Sequence, residues 1–241
     1  MSISVGPEKS PGVAEELARL RPLLQVEERW HASAVRYADV RQIKQALGTG
    51  ELVPIYDNGN SHPLRRYRLF SPPEGTYSVL TPQGHKGLEL FGSVARTVMR
   101  EVGIRDRVRF SVTSMTRTLG YQQKLVEDPE TLASPTSTHP TGNTVDIDGS
   151  AYYEMVGGVP LPVMHPGRYP SRLYPEQYDP RISSIAESVA NVLSAEGLIN
   201  LVPERVGTPR ACLHMSAAPD ILERAEHYSV LQLAGRTAVT W

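Results

Sequence analysis

The sequence predicts an α+β fold, a small antiparallel sheet with flanking helices. Helical stripes fill the first hundred residues and strand-like alternation dominates later. The two do not alternate with the βαβ regularity of a parallel sheet. Residues 1–12 mix Pro, Gly, Ser and charge and read as a mobile tail. Residues 13–105 read as a helical region packed on a core formed by 106–241, because its amphipathic helices need a surface to bury against.

In chain order, Val13 to Leu24 and Ala32 to Leu47 carry apolar residues at helical spacing, and Gly48 and Gly50 stop the second. Leu52 to Tyr56 and Arg66 to Phe70 read as short strands around a polar turn at Asp57 to Ser61. Leu88, Leu90, Phe91, Val94, Val98 and Met99 line one side of a helix from Lys86 to Glu101, which ends at Gly103. Arg109 to Ser114 alternates as a strand, and Leu119 to Val126 reads as a helix before a Pro/Ser/Thr-rich loop through Thr141. Gly149 to Pro180 is rich in Pro and Gly and reads as a long loop bordering a functional site. Its tyrosines are more simply loop packing than cleft contacts, and His165, without a motif, reads as solvated. Ile182, Ile185, Val189, Val192 and Leu193 mark a helix ending near Gly197, and Leu198 to Val202 with Ala211 to Ser216 form a hairpin.

Composition narrows the function. The chain has 241 residues, 40% of them hydrophobic, enough to bury a full core. Twenty-five basic residues balance twenty-six acidic ones, so no field favours nucleic acid. Cys212 is the only cysteine, which excludes an internal disulfide. The polar stretch Met1 to Glu15 lacks a signal's apolar segment, and no run approaches the roughly 20 apolar residues of a membrane span. The expectation is a cytoplasmic protein, exported only if a signal has been removed.

The informative segment is Ser137-Thr138-His139-Pro140-Thr141-Gly142-Asn143-Thr144-Val145-Asp146. His139 and Asp146 converge only if the chain turns at Gly142 and returns as a strand. Zinc accepts such mixed nitrogen and oxygen donors, and a catalytic site needs three of them plus an open position. His214, in the strand through Cys212 to Ser216, is the best-placed third ligand.

This segment resembles the first zinc motif, Ser-x-His-x-x-Gly-x-x-x-Asp, of the D-alanyl-D-alanine metallopeptidases, a superfamily that includes the hedgehog signalling domain. Ser137, His139, Gly142 and Asp146 fit, while Thr144 stands where alanine is usual. Ser114-Met115-Thr116-Arg117-Thr118 followed by Tyr121-Gln122 is similar to the family's Tyr-Arg-Ser and following Gln. The helix and strand before His214 are also similar in order and spacing. The resemblance covers about Arg109 to Ala217. It implies a Zn2+ on His139, Asp146 and His214, Arg117 stabilising the substrate oxyanion, Gln122 supporting the site, and Ser137 orienting the histidine loop. It implies a carboxypeptidase or endopeptidase acting on peptidoglycan or its precursors.

One departure is serious. The family's general base, a Glu three residues before the last histidine or a His two before it, is replaced by Ala211 or Cys212. Glu204 and Asp148 are candidate substitutes if hairpin or loop geometry brings either near the metal, and Cys212 shares a strand face with His214. Cys212 is then a replacement base, a fourth zinc ligand or, most simply, a small buried side chain. A zinc-stabilised binding module without turnover is the rival reading, and hydrolysis of a non-peptide amide is a third.

Overall fold

The computed structural model describes residues 9–56, 59–63, 75–167 and 178–237. Among these the elements run α1 (Pro11–Trp30), α2 (Val40–Thr49), β1 (Val53–Pro54), β2 (Ser61–Pro63), β3 (Thr76–Tyr77), β4 (Val79–Leu80), α3 (Pro82–Glu101), β5 (Val108–Ser114) and β6 (Thr116–Arg117). There follow α4 (Leu119–Glu127), a 3-10 turn at His139–Thr141, β7 (Thr144–Val156), β8 (Val159–Met164), α5 (Pro180–Ala195), β9 (Ile199–Glu204), β10 (Cys212–Ala217), α6 (Ile221–Arg224) and α7 (Val230–Gly235). The class is α+β, as the sequence predicts. No described helix is long and apolar enough to cross a membrane.

The main sheet has the order β2-β5-β7-β10-β9, with β8 also paired to β7. Among the described strand pairs only β2 and β5 run parallel. Alternation divides the sheet into two chemistries. Val145 and Ile147 of β7, Leu213 and Met215 of β10, and Leu201 of β9 point into the apolar core. On that side α3 supplies Leu88, Phe91, Val94 and Val98, and α5 supplies Ile185, Val189 and Leu193. Phe91 meets Phe110 of β5 edge to face, ring centroids 5.1 Å apart. The intervening residues Asp146, His214 and Asn200 face the other side. There α1 lies along β9, held where Asn200 Nδ2 donates to Leu23 O at 3.1 Å.

Several boundaries differ from the sequence expectation. The first helix runs on past Leu24 to Trp30. The second begins only at Val40, because the Asp39 side chain caps it by accepting from Arg41 N and Gln42 N. Gly50, at φ 80°, ends it in the left-handed conformation. Arg66 to Phe70 lies outside the described residues.

The largest correction falls on Gly149 to Pro180. Instead of a loop, its first half completes β7 and adds β8, a hairpin paired from Val156↔Val159 to Ala151↔Met164. Gly157 and Gly158, at φ 56° and 80°, form the two-residue turn that such a hairpin favours. Pro160 and Pro162 are tolerated because β8 lies at the sheet's edge. The register of β5 on β7 slips between Phe110 and Ser114, a bulge beside Asp148.

Candidate metal centre

Four segments build the site. The turn at His139–Thr141 ends at Gly142, φ 76°, which reverses the chain into β7. Seven residues after His139, Asp146 therefore comes back beside it. His214 lies directly opposite Asp146 on β10, and Ser114 of β5 opposite Asp146 on its other side. Ligand-type atoms of His139, Asp146 and His214 all lie within 4.8 Å of one another, and all three residues are buried.

Each ring is aimed. His139 Nδ1 donates to Met115 O at 2.7 Å. A carbonyl only accepts, so the proton sits on Nδ1 and Nε2 presents its lone pair to the site. Nε2 is 3.0 Å from Asp146 Oδ2 but not aligned as a hydrogen bond, and it stays a buried nitrogen without a hydrogen-bond partner. His214 Nδ1 is 2.8 Å from Asp146 Oδ1, and the two rings meet edge to face at 5.0 Å. An orphaned imidazole nitrogen aimed at a carboxylate and a second imidazole nitrogen is a donor set compatible with a metal ion.

Arg117 is fixed by three contacts: Ser114 Oγ at 2.9 Å, Gln122 Oε1 at 3.1 Å and Asp146 Oδ2 at 2.8 Å. Gln122 in turn donates to Ser134 O. Ser137 Oγ accepts from His139 N at 3.4 Å, and Arg36 donates to Ser137 O. Of the proposed bases, Asp148 spends Oδ1 on its own bulge, accepting from Ser150 N and Oγ. The Glu204 side chain has no hydrogen bond or ion pair among the described residues. It lines a cavity of about 280 Å³ together with Arg117, Asp146, Cys212 and His214. Cys212 sits between the two carboxylates in register, Asp148 on one side and Glu204 on the other.

Electrostatics follow from burial and crowding. Burial, helped by the Arg117 charge, lowers the His139 pKa to about 4, so the ring is neutral at pH 7. Burial opposes charge on His214 too, but Glu27 and Asp146 outweigh it and hold its pKa well above the ordinary value. Burial also opposes the Asp146 charge, yet the flanking histidines hold it well below the carboxylate range. Burial raises Glu204 to about 7 against the pull of His214, and burial with the Asp146, Glu204 and Asp148 charges pushes the Cys212 thiol well up. In the metal-free site that keeps the thiol protonated.

With its pKa held well above the ordinary value, His214 carries at pH 7 a proton that a metal ion at Nδ1 would have to displace, so metal affinity should fall as pH falls. Adding Zn2+ to weakly buffered protein at pH 7 should release about one proton or more per ion bound. Uptake without acid release would contradict this.

The residue that sequence reading missed is Glu27. Its Oε2 is 2.9 Å from His214 Nε2, and it is buried at 1% exposure. The signal was present: Val13, Leu20 and Glu27 are the buried residues of α1, one every seven positions, so the apolar stripe continues into a glutamate. Ending the helix at Leu24 hid it. Compared with family models, curated proteins and solved structures, the chain matches none.

Proposed function

We propose that this protein is a zinc-dependent peptidase acting on D-alanine-containing, peptidoglycan-type peptides. One observation carries the reading: two buried imidazole nitrogens and a carboxylate meet beside a cavity that also holds an unpartnered glutamate. Two histidines and one carboxylate form the donor set of catalytic zinc, which leaves a position open for water. When bound at His139, Asp146 and His214, zinc supplies a Lewis acid and a water of lowered pKa.

The protein's own groups divide the remaining work. Glu204, its carboxyl raised to about 7, is suited to take a proton from water and return it to the leaving amine. Arg117, fixed by Ser114 and Gln122, supplies positive charge for an oxyanion. Met115 O and Ser137 hold the His139 ring and loop. The choice of substrate rests on the resemblance of the Ser137 to Asp146 segment and the Arg117 segment to the D-alanyl-D-alanine metallopeptidases.

The test is elemental analysis of wild type and His139→Ala, with cleavage of muropeptides, D-Ala-D-Ala and N-acyl amides assayed on the same samples. The expected result is one zinc per chain with peptide cleavage, both lost in His139→Ala. Glu204→Gln should keep its zinc and lose about 10²- to 10⁴-fold in rate. Zinc without cleavage of any peptide supports the recognition module instead. Cleavage confined to N-acyl amides supports the third reading. A folded wild type without zinc overturns the proposal.

A further inference from the structure

Glu27 asks for an explanation of its own. A carboxylate buried in a helix stripe is costly unless something compensates it. Among the described residues its one hydrogen-bonded partner is Nε2 of His214, on the side of the ring away from Asp146, with His31 near enough to feel its charge. Holding α1 on the sheet does not require this contact. Arg19 already donates to Pro203 O at 3.0 Å, Arg205 N to Glu16 Oε1 at 2.9 Å, and Asn200 to Leu23 O. Asp146 Oδ1 accepts at Nδ1 and Glu27 Oε2 at Nε2, so a metal ion that takes the Nδ1 side leaves Glu27 as the acceptor that keeps the ring's proton on Nε2 and the Nδ1 lone pair turned toward the ion.

We infer that Glu27 is a positioning residue of the metal centre. Through His214 it sets the ring's tautomer and orientation for cation binding, and it makes α1 a structural part of the site. The inference rests on the metal reading above. His139 is held in the same manner from the opposite direction by Met115 O, so each imidazole has one nitrogen committed to the protein and one offered to the ion. The carboxylate adds a property that a carbonyl lacks: its charge strengthens the hydrogen bond and makes the opposite nitrogen a better donor.

The experiment measures Zn2+ affinity by competition with a chromophoric chelator for wild type, Glu27→Ala, Glu27→Gln and Glu16→Ala. Side-chain 15N shifts of His214 are recorded on the zinc-loaded proteins, and melting is followed on the metal-free ones. Glu27→Ala should weaken zinc binding about 10- to 100-fold, the usual loss when an outer partner of a ligand is removed. Glu27→Gln keeps an acceptor oxygen and should fall between wild type and alanine. The His214 shifts should lose the pattern of a protonated Nε2 and metal-bound Nδ1 in the alanine variant. Glu16→Ala loosens α1 at another point and should change melting but not affinity. Wild-type zinc affinity in folded Glu27→Ala would overturn the inference and leave the metal reading standing. If the alanine variant fails to fold, unchanged affinity and His214 shifts in Glu27→Gln would overturn it equally. A wild type that takes up no zinc removes both claims together.

Discussion

Asp146→Ala should abolish zinc binding and, separately, destabilise the metal-free protein by about 3–5 kcal/mol, the range for leaving a buried charge without its partner. The second effect does not depend on the first. Asp146 stands between the Arg117 guanidinium at 2.8 Å, His214 Nδ1 at 2.8 Å and His139 Nε2 at 3.0 Å. Its removal leaves Arg117 with only neutral partners, Ser114 and Gln122, and His214 with Glu27 alone. Asp146→Asn keeps the volume and removes the charge, so it should recover part of the stability and none of the high-affinity zinc binding. Urea unfolding in chelator and zinc content measure the two effects independently. Retained zinc in Asp146→Ala, or metal-free stability within about 0.5 kcal/mol of wild type, would contradict the site as drawn.

Gly142→Ala should cost on the order of 3 kcal/mol, combining about 1–2 kcal/mol for a left-handed alanine with a similar amount for crowding. In a chain this long that lowers the melting temperature by about 6–12 °C. A Cβ at Gly142 would lie 2.7 Å from Leu52 Cδ2 and 3.3 Å from Thr116 Oγ1. The backbone has little freedom to yield, because Gly142 O accepts from Thr81 N at 2.9 Å, and a Cβ on Gly84 of α3 would stand 2.6 Å from that oxygen. Gly103 provides the control. It has nearly the same φ, 75°, but nothing within 4 Å of its missing Cβ. Gly103→Ala should therefore cost only the backbone part, about 1–2 kcal/mol. Equal losses in the two variants, followed by thermal melting, would show that packing at Gly142 contributes nothing. Because Gly142 sets the reversal between His139 and Asp146, its alanine variant should also bind zinc more weakly.

What was legible in the sequence follows from how far each signal reaches. The stripes of α3 and α5 are local and periodic, and the alternation in β5, β9 and β10 is equally local, so those elements fall close to where the pattern puts them. The convergence of His139 and Asp146 was also local, since Gly142 between them announces a reversal. The β7–β8 hairpin was not read, because Pro160 and Pro162 look like breakers until the strand is known to lie at an edge. The Gly157-Gly158 pair between valines was the better guide. Glu27 was obscured for another reason. Charge at a core position is invisible to a reading that ends a helix where apolar residues stop. Its partner is 187 positions away. The contrast between the Asp148 carboxylate, held by Ser150, and that of Glu204 likewise depends on the bulge in β7, which no local pattern announces.

The span between Glu27 and His214 also bears on how the chain folds. Closing a contact across 187 positions costs entropy that must be met before the contact returns anything, whereas Ser114, Asp146 and their neighbours pair over much shorter stretches. The clasp between α1 and β10 is therefore expected to close after β5, β7 and β10 have paired. An interaction made after the rate-limiting step leaves the folding rate nearly untouched and slows unfolding. Glu27→Ala is thus expected to speed unfolding and leave the folding rate nearly unchanged, which the two arms of a denaturant chevron would show.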